Sequence, residues 1–296
     1  MSNENKGLLL GLLGVSLFAL TLPLTKVLVA AIGIYEANFL RASLTGLIAL
    51  GFILISRAKL PRSRQEWSLL TPIIIAIGLG FPIGTAYAMQ YIPPGQGGVV
   101  LGLTPLLTAI IGASISNQKL SIQFWIAAFI GFTVITLYSL NKNQWVISQG
   151  EIGLLVASVS AGLGYAKAGK LSQIMDSKEV ISWVMAISLI FNIPLAILFW
   201  GNDFISLSDK LFQPGPLFAL LSLAVITMYI ANFFWYQGLS IGGIAKVGQL
   251  LLLQPLITLF VSGLFFGESV GIIDYTVCLM LIGIVLYCRK TPISKS

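Results

Sequence analysis

The chain has 296 residues, of which 57% are hydrophobic and 9% charged, and its mean hydropathy is +0.95. Soluble domains carry about 25% charged residues, so a water-soluble fold is excluded. His is absent, which removes the usual zinc ligand, imidazole base and neutral-pH proton relay. Cys278 and Cys288 lie too far apart along one apolar segment to bridge or to share a metal, so neither a disulfide framework nor a metal site is expected. The net charge of +7 does not point to nucleic acid, because the basic residues sit in short loops and form no patch with interleaved aromatics.

In chain order, a polar start from Met1 to Lys6 leads into an apolar run. It imitates a signal peptide, but no small-residue cleavage site precedes a soluble domain, so it reads as a retained first span. Apolar runs of spanning length, about 20 residues, follow one another at Gly7 to Ala31, Tyr35 to Ser56, Leu69 to Gln90, Gly95 to Ser116 and Ser121 to Leu140. Five more run from Gly150 to Lys170, Glu179 to Trp200, Pro214 to Gly238, Gly242 to Phe266 and Gly271 to Arg289. Their connections are short and rich in Gly, Pro and Asn, leaving no room for an extramembrane domain. With the N-terminus inside, every Lys and Arg except Lys26, Arg41, Lys142 and Lys210 falls on the cytoplasmic side, with Arg57, Lys59, Arg62 and Arg64 clustered in one loop. This bias predicts an even number of spans, both termini cytoplasmic, and an inner-membrane location.

A weak internal repeat sets Leu103-Thr104-Pro105-Leu106-Leu107-Thr108 beside Leu253-Gln254-Pro255-Leu256-Ile257-Thr258. Five spans per half is an odd number, so the second copy enters from the opposite side. The expected fold is all-α and membrane-integral: ten transmembrane helices as two inverted five-helix repeats, residues 1–145 and 146–296, around a central cavity.

The stretch Tyr91-Ile-Pro-Pro-Gly-Gln-Gly-Gly-Val-Val-Leu-Gly-Leu-Thr-Pro105, followed by a small-residue helix, resembles the third-to-fourth-span signature of EamA-type transporters in the drug/metabolite transporter superfamily. Gly242-Gly243-Ile-Ala-Lys246, leading through Gln254-Pro255 to Gly267-Glu268, is similar to the corresponding ending. Lys26 and Arg41 resemble the family's basic positions. Two departures stand out: Gln118 occupies the position that matches Glu268, and the match to Arg41 in the second half is Met185. The resemblance implies alternating access around a central cavity and export of amino acids, other metabolites or drugs.

Polar side chains at bilayer depth mark candidate sites. Tyr87 and Gln90 lie on the third run, Asn232, Trp235 and Tyr236 on the eighth, and Lys246 and Gln249 on the ninth; these seven are the expected substrate-binding set. Such side chains offer a substrate apolar surface and a few hydrogen bonds. The aromatics serve equally well as interfacial belt or helix packing, and the amides as contacts between helices. Pro105 and Pro255 each remove a helical hydrogen bond and are expected hinges. Four Gly-x-x-x-Gly pairs, at Gly7, Gly80, Gly98 and Gly238, are expected to let helices approach closely. Lys26 and Arg41 are expected to snorkel to the outer surface with Glu36 as a partner, the alternative for Lys26 being a substrate carboxylate.

All ten carboxylates fall in loops or near the ends of runs, which disfavours ion coupling through a central acid. The expectation is therefore a secondary transporter of small metabolites such as amino acids, without cofactor, whose partners are its solute and the bilayer; oligomeric state is open. A multidrug exporter is the alternative within the class. A membrane enzyme lacks a plausible nucleophile and base, and a receptor or scaffold would have a closed, packed core.

Overall fold

The computed structural model describes residues 3–115, 118–200, 204–243, 247–290 and 293–295. Among them, nine helices are long and apolar enough to cross a membrane: α1 Asn3–Ile32, α2 Ile34–Ser56, α3 Arg64–Tyr91, α4 Pro94–Ser114, α5 Ile122–Lys142, α6 Gln149–Leu171, α7 Ser177–Trp200, α8 Pro214–Gly242 and α9 Gly248–Phe266. A further helix, α10 Ile272–Lys290, carries a shorter apolar stretch, Ile272–Tyr287. A short antiparallel pairing joins Gln118–Leu120 to Ile293–Lys295.

Local sequence explains the helix starts. Ser63 and Glu66 form a reciprocal capping box at α3, and Ser148 and Glu151 do the same at α6. Gly33, at φ 96°, turns the chain between α1 and α2 in a conformation that a side chain would strain.

The helices pack in pairs that join early and late parts of the chain: α1 with α8, α2 with α7, α3 with α6, α4 with α9 and α5 with α10. The glycine pairs lie at these contacts. A Cβ on Gly84 would stand 2.6 Å from the Gly153 carbonyl oxygen across α3 and α6, and one on Gly238 would stand 2.8 Å from the Gly11 nitrogen across α8 and α1. Gly98 likewise faces Thr258 of α9. Backbones this close gain dispersion and weak polar contacts that lipid cannot offer a bulkier helix face.

Several helices change winding part-way along their length. α1 turns at Ala19–Leu20, α3 is π-helical over Ala76–Gly80, and α8 is π-helical over Ser222–Ile230. α4 is interrupted by a turn at Gly102–Leu103, and α9 opens with a 3-10 stretch, Gly248–Leu253. Pro105 and Pro255 each sit at the start of the helical segment after these breaks, where a backbone N–H is not needed.

The carbonyls released by such irregularities are caught by neighbouring helices, as they must be where water is absent. Pro23 cannot donate to Ala19, and Thr258 Oγ1 of α9 donates to that carbonyl at 3.2 Å. Pro82 cannot donate to Gly78, whose carbonyl accepts from Asn192 Nδ2 of α7 at 3.2 Å. In the π stretch of α8 the Ala224 carbonyl accepts from Thr45 Oγ1 of α2 at 3.1 Å. These bonds hold the irregular backbone around the centre of the bundle.

Candidate functional site

A small cavity of about 20 Å³ lies where α1, α2, α3, α6, α7 and α8 meet, room for about one water molecule. Phe18 and Thr21 flank the turn in α1, Ile77 belongs to the π stretch of α3, and Thr227 and Met228 belong to that of α8. The cavity thus sits at three backbone irregularities, a setting in which non-α backbone at membrane depth is tolerated because it lines a cavity. Its walls are otherwise apolar, with Phe81, Pro82, Tyr165 and Met185, and its polar groups include Arg41 and Asn232.

Arg41 is 1% exposed. It does not snorkel, and Glu36 is not its partner; its guanidinium points into the bundle and ties three helices together. Nη1 donates to Thr25 Oγ1 at 2.8 Å, and Nη2 donates to the Pro82 carbonyl at 2.6 Å and to Thr85 Oγ1 at 2.9 Å. The reason is the register of α2. Arg41 lies seven residues beyond Ile34, about 10 Å along the axis at 1.5 Å per residue, and on the same face as the buried Asn38 and Thr45. That face meets protein, so the side chain has no lipid-facing route to an interface. Asn232 donates through Nδ2 to the Met228 carbonyl at 2.9 Å, leaving Oδ1 without a hydrogen-bond partner.

A second concave surface lies at the end of the bundle where α1, α3 and α9 finish, bordered by Lys26, Tyr91, Pro93, Pro94, Phe266 and Glu268. Lys26 donates to the Met89 carbonyl at 2.6 Å, not to Glu36, and Glu268 accepts from the Gly95 N–H at 2.7 Å. A carboxylate at the start of α4 meets the unpaired N–H groups and positive end of that helix. Nearby, Glu151 accepts from Gln96 Nε2 at 3.0 Å and Asn143 Nδ2 at 2.7 Å, while Asp274 pairs with Lys142 and accepts from Tyr138, both at 2.7 Å. These buried acids cap and tie helix ends.

The profile of the EamA-like transporter family matches residues 5–140 and 148–289, nearly the whole chain. The chain belongs to the EamA-like transporter family. It is 33% identical over 274 residues to the uncharacterized transporter YdeK of Bacillus subtilis, covering 92% of each protein. A shorter match, 25% identical over 163 residues, relates 51% of the chain to 36% of the chloroplastic triose phosphate/phosphate translocator of Flaveria pringlei. In fold, the protein is similar to a solved crystal structure at a TM-score of 0.65 and 17% identity, covering 98% of this chain and 99% of the other. It is a multi-span membrane transporter, and its family and relatives are transporters, not enzymes.

Within this EamA-like fold the expected site residues separate into groups. Asn232 lines the central cavity. Trp235 and Tyr236 are fully buried on the same helix, with Trp235 in edge contact with Phe18 and Tyr165, two of the lining aromatics, at centroid distances of 6.3 and 5.7 Å. Tyr87 points toward the end of the bundle and donates to Gln149 Oε1 at 2.8 Å. Gln90 and Gln249 are exposed, away from the cavity. Lys246 and the side chains of Gln118 and Cys288 lie outside the described residues. Arg41, Thr21 and Thr227 also line the cavity and are not among the residues expected from sequence. The available signal was the polar stripe Asn38, Arg41, Thr45 at helical spacing on an otherwise apolar run.

Proposed function

We propose that this EamA-like transporter moves small organic metabolites such as amino acids by alternating access, through the cavity bounded by Arg41 and Asn232, and that its direction is export. The observation that carries the reading is the position of that cavity, whose walls come from α1 to α3 and from α6 to α8. In this reading residues 1–145 and 146–296 are two inverted repeats of five spans each, ten in all, in an inner membrane with both termini cytoplasmic. The reciprocal pairing supports it: α1 packs on α8 as α6 packs on α3, which is what exchange of two halves about an axis requires. The π stretches also correspond, since residues 76–80 moved by the repeat offset of 150 fall on 226–230, inside Ser222–Ile230. Export is supported by the family resemblance alone.

Metabolite sites usually occupy about 300 Å³ or more, against about 20 Å³ here; the core is as closed as a receptor or scaffold would have, family membership rather than cavity size favours transport, and in this reading rocking of the halves opens the cavity to either side. The similarity to a triose phosphate translocator makes phosphate esters the natural competitors to test. The test is counterflow in proteoliposomes with a panel of amino acids, hydroxy acids and phosphate esters. Asn232→Ala is expected to alter apparent affinity and the ranking of competitors while the protein remains inserted and monodisperse. A reduced rate with an unchanged ranking would exclude Asn232 from the site.

A further inference from the structure

We propose that Glu151, Glu268 and Asp274 are positioning residues for transport: together they latch one end of the bundle, so that the central cavity opens more readily toward the other. This rests on the reading of residues 1–145 and 146–296 as parts that move against each other.

All three acids belong to the second of those halves, and each accepts from donors of the first. Glu151 takes the side-chain amides of Gln96 and Asn143, Glu268 takes the Gly95 N–H, and Asp274 takes the Tyr138 hydroxyl and the Lys142 ammonium. Tyr87, donating to Gln149, adds a further bond between the halves. These ties lie at the end where α1, α3, α5 and α9 finish and α4, α6 and α10 begin. The first turn of α4 is held twice, at Gly95 by one acid and at Gln96 by another. Gly95 leaves the space for this, since a Cβ there would stand 2.8 Å from Glu268 Oε1. Glu151 and Asp274 are 5% and 3% exposed, so water competes little for their bonds, and bonds to an ionised partner are stronger than neutral ones.

The opposite end is held differently. There the Lys59 N–H donates to Glu179 and its carbonyl accepts from Trp183 Nε1, and both bonds are exposed to water. The repeat offset of 150 sets Gln118 and Phe124 against Glu268 and Asp274, so two of the three acids have no counterpart in the first half. Opening the latched end separates several charge-assisted bonds at once, whereas exposed bonds are exchanged for water at small net cost. In the orientation proposed above, the latched end faces out of the cell.

The experiment reads the sidedness of access to the cavity in the full-length protein. In a Cys-free background, Thr227→Cys places a thiol on the cavity wall, and its labelling by a small impermeant methanethiosulfonate is timed from outside intact cells and from the cytoplasmic side in inverted vesicles. Gly95→Ala displaces the Glu268 carboxylate, a flexible side-chain end, and keeps the acid; Gln96→Leu removes a donor to Glu151. Each is expected to speed labelling from outside about ten-fold or more, the lower range for losing a hydrogen bond to a charged group. Labelling from the cytoplasmic side is expected not to rise, and the ranking of competing solutes to stay unchanged. Trp183→Phe, at the other end, is expected to leave outside labelling as it was. An equal rise from both sides would indicate a loosened bundle, and no change from either side would show the ties to be idle; either result overturns the proposal. A second measurement does not depend on the cavity. With Gln96→Cys and Glu151→Cys joined by a short reducible cross-linker, counterflow is expected to stop and to return on reduction; undiminished transport by the cross-linked protein would overturn the latch. If the thiol at position 227 never reacts while the cross-link blocks transport, the latch stands and the central cavity loses its reading as the transport site.

Discussion

Asn232 and Trp235 are neighbours on one face of α8, yet their surroundings give them different work. Asn232 presents a vacant acceptor to the cavity, whereas Trp235 stands behind the wall and braces Phe18 and Tyr165. Trp235→Ala is therefore expected to lower stability by about 3 to 5 kcal/mol, the usual cost of truncating a buried Trp. In detergent this reads as a lowered melting temperature, with the ranking of competing solutes unchanged in surviving protein; a reordered ranking would place the indole in the site. Hydropathy and helical spacing reveal that Asn232, Trp235 and Tyr236 share a stripe, but which atom of a stripe meets a cavity depends on the neighbouring helix. Arg41 illustrates the same limit. Its distance from the loop suggested an interface, and only the packing of α2 against α1, α3 and α7 turns that face inward.

The helices themselves are plainly written in the chain, since runs of about 20 apolar residues separated by Gly, Pro and Asn leave little freedom in a bilayer. Their interruptions are less legible. Pro105 and Pro255 announce the breaks in α4 and α9, but no residue type signals a π stretch, because it depends on partners such as Thr45 that take the displaced carbonyls. Glu268, placed by sequence near the end of a run, accepts from the Gly95 N–H at the start of α4. Glu268→Gln keeps an acceptor at that N–H and is expected to preserve substrate range. Glu268→Ala leaves the start of α4 unsupported and is expected to cost about 1 kcal/mol, a typical value for an anion at a helix N-terminus. Paired thermal melts and transport assays check both; loss of a pH-driven flux with exchange intact in Glu268→Gln would make this residue a coupling acid.

At the scale of the molecule, the distribution of basic residues predicts that the loop holding Arg57, Lys59 and Arg62 faces the cytoplasm. In a Cys-free background, Arg62→Cys is expected to react with an impermeant maleimide only after permeabilisation, and Gln213→Cys in intact cells; the opposite pattern would invert the orientation. The proposed internal repeat is legible in sequence at one short segment only, because helices facing lipid keep their hydropathy while drifting in identity. The pairing of helices was not visible, since contacts between α1 and α8 or α3 and α6 leave no mark beyond glycines that abound elsewhere. That pairing has a consequence for biogenesis. The glycine face of α1 finds its cover only when α8 is made, and roughly 180 residues separate Ile32 from Pro214. At synthesis rates of about 5 to 20 residues per second, the nascent first helix waits in the bilayer for roughly 10 to 40 seconds with that face unpaired. Assembly of this chain is therefore set by the arrival of its second half, and a transcript stalled before α8 would leave an inserted helix open to any other small-residue surface in the membrane.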